Sequence, residues 1–211
     1  MGRGHLIALE GVDGAGKTTQ AMGLAAILAR FGRRVLFTRE PTYGPAGLRL
    51  REYLCGGQRH LSPAEELALF QTDRREHVEK TIQPALDRGW LVITDRYYYS
   101  SAAYQGALGL DPREILADSE RFAPRPDLVV ILTLPLDQAV ARCLESRAEA
   151  PQVCEEPAYL EKVAAIYDTF QGSHLRRLDG AAPASQVQTK LLDLALKALV
   201  LPRQAGLVNN R

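Results

Sequence analysis

Leu6-Ile7-Ala8-Leu9-Glu10-Gly11-Val12-Asp13-Gly14-Ala15-Gly16-Lys17-Thr18-Thr19 decides how this chain folds. An apolar run, Leu6–Leu9, reads as a buried strand. It breaks at Glu10-Gly11 and enters a turn with three glycines. From Thr18 to about Phe31 apolar residues recur at helical spacing, and Gly32 follows as a C-cap. Gly11–Thr18 thus fits the P-loop pattern of Gly, four residues, Gly-Lys-Ser/Thr, in its proper strand–turn–helix setting. Glycine lets the backbone curl so that successive N–H groups converge on phosphate oxygens, and the helix N-terminus adds partial positive charge. Lys17 would reach the β- and γ-phosphates of a nucleotide, and the Thr18 hydroxyl can hold Mg²⁺. Gly11, Val12, Asp13, Gly14, Ala15, Gly16, Lys17, Thr18 and Thr19 are therefore the candidate nucleotide-binding residues.

Outward from this loop, short apolar runs alternate with longer amphipathic ones. Arg34–Thr38, Leu91–Thr94 and Asp127–Thr133 read as strands, with a weaker one near Arg177–Asp179. Helices are expected over about Pro63–Arg88 and Ser185–Leu199. Strands this apolar need helices on both faces, which implies a parallel sheet. The expectation is an α/β fold of the P-loop NTPase type: three layers, with a central five-stranded parallel sheet flanked by helices. It would be one domain over residues 1–201, followed by a frayed tail at 202–211. The chain has 211 residues and a net charge of +1, which argues against an extended nucleic-acid surface. Three cysteines without metal or redox spacing read as reduced thiols. The four histidines are scattered and suggest no metal site. Without a leader or an apolar stretch of membrane-spanning length, a soluble cytoplasmic protein is expected.

Switches, motors and kinases all use a P-loop. An Asn-Lys-x-Asp guanine reader is missing, and Val129–Leu132 runs into Thr133-Leu134-Pro135 rather than the aspartate of a motor. A small-molecule kinase is left. Such an enzyme must hold two anions together, which calls for arginines at the carboxyl ends of the strands. Two strands end that way, in Arg39-Glu40-Pro41 and Asp95-Arg96-Tyr97. Asp95 is placed to bind Mg²⁺ with Thr18, and Arg96 to bridge donor and acceptor phosphates.

LEGVDGAGKTT (9–19), TREP (38–41), FQTDR (70–74), DRYYYSSAAYQG (95–106) and LDG (178–180) together resemble the bacterial-type thymidylate kinases, in order and spacing, over nearly the whole chain. The resemblance implies phosphate transfer from ATP to dTMP, with Mg²⁺, by a homodimer that engages neither nucleic acid nor membrane. It implies that Asp13 lies near the sugar 3′-hydroxyl and acceptor phosphate, and that Arg39 and Arg96 hold that phosphate. Phe70 would stack on thymine and Arg74, one turn later, would bond a thymine carbonyl. Tyr104 would pack on the deoxyribose, while Ser101 and Gln105 complete the pocket. The adenine site would include Gly180. The rivals are another deoxynucleotide or deoxynucleoside kinase, or a nucleotide-binding relative with weakened catalysis.

The last rival arises from one departure. Some members of this family carry an arginine in the P-loop where Gly14 stands here. Others use an arginine-rich lid, but the segment around 142–157 holds only Arg142 and Arg147, and Val153 stands where a lid arginine is expected. Arg147 is the expected lid residue and joins Lys17, Arg96 and Asp13 in the catalytic set. Arg142 is expected to be a helix-surface or structural residue.

Overall fold

The computed structural model describes residues 3–56, 60–146 and 156–200. Five strands form one sheet: β1 (His5–Glu10), β2 (Val35–Arg39), β3 (Leu91–Asp95), β4 (Leu128–Thr133) and β5 (Leu175–Asp179). The order is β2-β3-β1-β4-β5, and every pairing is parallel. This is the α/β sheet expected from the apolar runs. β1 and β3 are buried nearly throughout, as strands covered on both faces must be.

Nine α-helices connect the strands among the described residues: α1 (Lys17–Arg30), α2 (Pro45–Cys55), α3 (Pro63–His77), α4 (Gln83–Asp87), α5 (Tyr98–Ala107), α6 (Pro112–Glu120), α7 (Leu136–Ser146), α8 (Pro157–Thr169) and α9 (Ala184–Val200). One group, α1 with α9, packs on the sheet, and a second is built around α5 with α3, α6 and α8. Ser62 starts α3 with a capping box, its Oγ accepting from Glu65 N–H while the Glu65 carboxylate accepts from Ser62 N–H. The segment expected as one helix from Pro63 contains a π-helical turn at Val78–Ile82, just ahead of Pro84. Pro84 has no N–H to offer the preceding turn, and the wider turn lets the chain pass it without breaking.

Topology places the site. The crossover from β1 leaves toward β2, while that from β4 leaves toward β5, so the crevice opens at the carboxyl ends of β1 and β4. The register then lines up functional residues: Leu9 lies opposite Asp95, and Asp95 opposite Arg39. Strands β1, β2 and β3 therefore deliver Glu10, Arg39 and Asp95 to the same edge. Each of these strands runs one residue further than its apolar core suggested, because the terminal charged residue stays in the sheet. The expected tail at 202–211 and most of the lid segment, including Arg147 and Val153, lie outside the described residues.

Candidate active site

Gly11, Gly14 and Gly16 all have positive φ, at 132°, 80° and 89°, a region that side chains with a Cβ rarely adopt. Close approach adds to the requirement at Gly14, where a Cβ would collide with the backbone oxygen of Ala139 in α7. On this chain's backbone a side chain at Gly14 would be strained and would meet the Ala139 carbonyl, and the loop itself supplies no arginine. Gly16 leads into α1, which begins at Lys17 and points its first N–H groups into the loop. Lys17 is buried, and its Nζ donates to Val12 O at 2.7 Å. Burial first, and then Arg96 nearby, push its ammonium down to about 8. Val12, Ala15 and Gly11 are buried beneath the loop, whereas Thr19 lies exposed on α1. On the far side, a Cβ at Gly180 would stand 3.0 Å from Ala15 O, so the turn after β5 abuts the P-loop. Arg142 holds that turn, donating from Nη1 to Gly180 O at 3.0 Å.

Thr18 Oγ1 donates to Asp95 Oδ2 at 2.5 Å, and Arg39 Nη2 stands 3.7 Å from the same oxygen. The two residues expected to hold Mg²⁺ are thus in contact. Arg96 pairs with Asp13 rather than with its neighbour Asp95. Burial opposes ionisation of Asp13, but Arg96 and Lys17 prevail and hold its carboxyl below the ordinary carboxylate range. Tyr104 closes this group: its hydroxyl accepts from Asp13 N–H at 3.2 Å and donates to Asp13 Oδ2 at 3.3 Å. The Arg96 guanidinium also lies over the Tyr104 ring, 5.1 Å from its centre. Asp13 of the P-loop and Arg96 and Tyr104 of the 95–106 segment therefore form one cluster.

Arg96 has φ of 73°, the one positive value outside glycine among the described residues. Its left-handed turn is pinned by Arg96 N–H donating to Leu9 O at 2.9 Å and Thr94 Oγ1 donating to Arg96 O at 2.7 Å. Beneath it lies Glu10, a residue the sequence reading passed over. Glu10 is fully buried and accepts from Tyr97 N–H (2.9 Å), Ser100 Oγ (2.5 Å) and Tyr167 OH (3.2 Å). Ser100 also accepts from Arg96 Nη1 at 3.0 Å, so the carboxylate steers the guanidinium through a hydroxyl.

Burial raises the Glu10 carboxyl to about 7, against the opposing pull of Ser100, Arg96, Arg74 and Lys17. Between its ordinary value and 7 the folded protein binds more protons than the unfolded chain, so this group makes stability fall as pH rises through that window. Glu10→Gln should cancel that decline. Subtracting wild-type from variant urea-unfolding energies should give a difference that grows in favour of the variant from pH 5 to pH 7.5, by about 2 kcal/mol for a shift of this size. A difference flat with pH would show that Glu10 does not titrate there.

Helices α3 and α5 build the wall at which the resemblance would place the acceptor. Phe70 is half-buried on α3, one turn before Arg74, which is almost wholly enclosed. Arg74 donates from Nε and Nη2 to Glu40 Oε2 at 2.9 and 2.7 Å, and from Nη2 to Ser101 Oγ at 3.0 Å. Its Nη1 is buried with no hydrogen-bond partner. Gln105, one turn past Ser101, donates from Nε2 to Glu66 Oε1 at 2.9 Å, which leaves its Oε1 buried and without a partner. Buried polar groups are rarely left so. Glu40 and His77, which lock this wall, were not foreseen. A charge flanked by Arg39 and Pro41 looks like a surface pair, and no local pattern links it to Arg74.

Comparison with known proteins identifies the family of the chain. The thymidylate kinase family model matches residues 9–191. The thymidylate kinase of Xanthomonas campestris pv. campestris is 46% identical over 198 residues, covering 93% of this chain and 85% of its own. That of Desulfotalea psychrophila is 42% identical over 189 residues, 90% of this chain and 93% of its own. That of Brachyspira hyodysenteriae is 37% identical over 200 residues, 95% and 97% of the two chains. The match spans most of the chain, and the chain belongs to the thymidylate kinase family of ATP-dependent nucleoside monophosphate kinases.

Proposed function

We propose that this chain transfers the γ-phosphate of ATP to dTMP, giving ADP and dTDP. The observation that carries the acceptor assignment is the pair of buried, unpartnered atoms on the acceptor wall, the donor Arg74 Nη1 and the acceptor Gln105 Oε1. A thymine ring offers the complement on one edge, a carbonyl oxygen beside a ring N–H. Phe70, one turn from Arg74, supplies an aromatic face for the ring. Tyr104, held by Asp13, forms the wall for the deoxyribose.

In the reaction an acceptor-phosphate oxygen attacks the γ-phosphorus in line, and the bond from that phosphorus to the β–γ bridging oxygen breaks. The acceptor is already anionic, so no general base is required. Catalysis then rests on positioning and charge. Lys17 and the loop N–H groups hold the donor phosphates, Arg39 and Arg96 hold the acceptor phosphate, and Asp13 orients Arg96. A hydroxyl and a carboxylate in contact, Thr18 and Asp95, form a donor set suited to Mg²⁺. When bound, that ion would supply positive charge to neutralise the donor phosphates. Arg147 is assigned the lid role, since the loop carries Gly14 and no arginine of its own. The turn at Gly180, fixed by Arg142 beside the P-loop, is assigned to the adenine.

The protein is proposed to act as a cytoplasmic homodimer with one catalytic domain through residue 201. Among the described residues no helix is long and apolar enough to cross a membrane. Leu48 on α2 is 52% exposed and suits a surface that a second copy would cover. The direct test is product analysis: ATP and dTMP should yield ADP and dTDP one for one. ADP formed without dTDP would defeat the reading.

A further inference from the structure

Arg74 is a five-donor side chain, and left mobile it would accept many acceptors. Here it is locked. Nε and Nη2 both donate to Glu40 Oε2, and Nη2 also donates to Ser101 Oγ. The other carboxylate oxygen, Glu40 Oε1, lies 3.0 Å from His77 Nδ1. A carboxylate only accepts, so Nδ1 carries the ring proton. At the far side His77 Nε2 lies 2.6 Å from Thr38 Oγ1 on β2. Arg74, Glu40 and His77 are 1%, 3% and 3% exposed, so water cannot replace any link. Burial opposes the charge on Glu40, but Arg74 and His77 hold its carboxyl below the ordinary range. Asp73, beside Arg74 on α3, faces away and accepts from Thr42 N–H and Oγ1 at 2.9 and 2.5 Å. It therefore does not compete for the guanidinium. Tyr97 limits motion from below, its ring centre 5.6 Å from the guanidinium.

We infer that Glu40 and His77 are positioning residues for acceptor choice: the chain Thr38–His77–Glu40 fixes the Arg74 fork so that Nη1 alone faces the base. A fixed donor there favours a pyrimidine with a carbonyl at that edge. A 4-amino pyrimidine would set donor against donor with no route for the arginine to turn aside, and a site of this kind rejects by leaving buried groups unpaired. This inference rests on the acceptor assignment given above and deepens it.

The experiment compares wild type with Glu40→Gln, His77→Leu and His77→Asn, using ATP with dTMP, dUMP and dCMP, well below each protein's melting temperature. Glutamine cannot accept from His77 and from the fork together. Leucine removes the Nδ1 donor, whereas asparagine can restore it. Glu40→Gln and His77→Leu should raise KM for dTMP and dUMP by about 10–100-fold. Their kcat should change by less than about threefold, and the ratio of kcat/KM for dTMP over dCMP should fall by about tenfold or more. His77→Asn should stay near wild type in that ratio.

If kcat and KM for all three acceptors worsen together with the ratio unchanged, the residues only support the fold and the inference is overturned. An unchanged KM and ratio in both disabling variants overturns it too. Should Glu40→Gln fail to fold, His77→Leu against His77→Asn decides by the same readouts. If wild type itself does not prefer dTMP over dCMP, the acceptor assignment falls first, and that outcome is visible before any variant is measured.

Discussion

Lys17→Ala is expected to lower kcat for phosphate transfer by on the order of 10³-fold, the upper range for loss of one preorganised donor to developing charge. The reason is geometric as much as electrostatic. Lys17 is the first residue of α1, its stem is buried, and its ammonium bonds the loop's own Val12 carbonyl. It is therefore already placed inside the cradle rather than recruited from solvent. The fold should survive the change. Burial and Arg96 already disfavour the ammonium, so removing it relieves an unfavourable charge while sacrificing one hydrogen bond. Melting temperature at pH 7 should stay near wild type. Activity close to wild type would remove the P-loop from the mechanism, and loss of folding would make Lys17 a structural residue instead.

The second large effect is expected at Arg96. Arg96→Ala should reduce kcat by about 10²–10³-fold, because one side chain joins the P-loop acid Asp13 to the Ser100–Glu10 support and is proposed to hold the acceptor phosphate. Its backbone permits a sharper test. A left-handed residue other than glycine carries about 1–2 kcal/mol of strain, and Arg96 sits at φ 73°. Arg96→Gly should therefore unfold at higher urea than Arg96→Ala, while both variants are equally poor catalysts. The pair separates strain from chemistry. Equal stabilities would mean the turn is unstrained, and a fully active glycine variant would mean the guanidinium does no catalytic work.

Much of this site is legible in the sequence, for identifiable reasons. The P-loop reads out because its residues are contiguous and each has a local job. Asp95 and Arg96 read out because they end an apolar strand where a parallel sheet collects ligands. Glu10 did not, although it also ends such a strand, because its partners Tyr97, Ser100 and Tyr167 lie about 90 and 157 positions away. The Glu40–Arg74 lock spans 34 positions, and no periodicity reports it. Helix α5 was equally silent: its residues Tyr98 to Gln105 are all buried, and a helix buried all round shows no amphipathic stripe. At β5 the sequence suggested a shorter strand, since Arg176 and Arg177 are exposed on the sheet's edge and interrupt the apolar pattern.

The central claim is that two halves of one site, the glycine cradle and the Arg74–Gln105 wall, make this chain a kinase for a thymine nucleotide. Its most direct measurement is kcat/KM with saturating Mg²⁺-ATP across dTMP, dUMP, dCMP, dGMP and thymidine. We expect dTMP to rank first and dUMP to follow, with dCMP and unphosphorylated thymidine far behind. A protein that phosphorylates thymidine or dCMP as well as dTMP would contradict it.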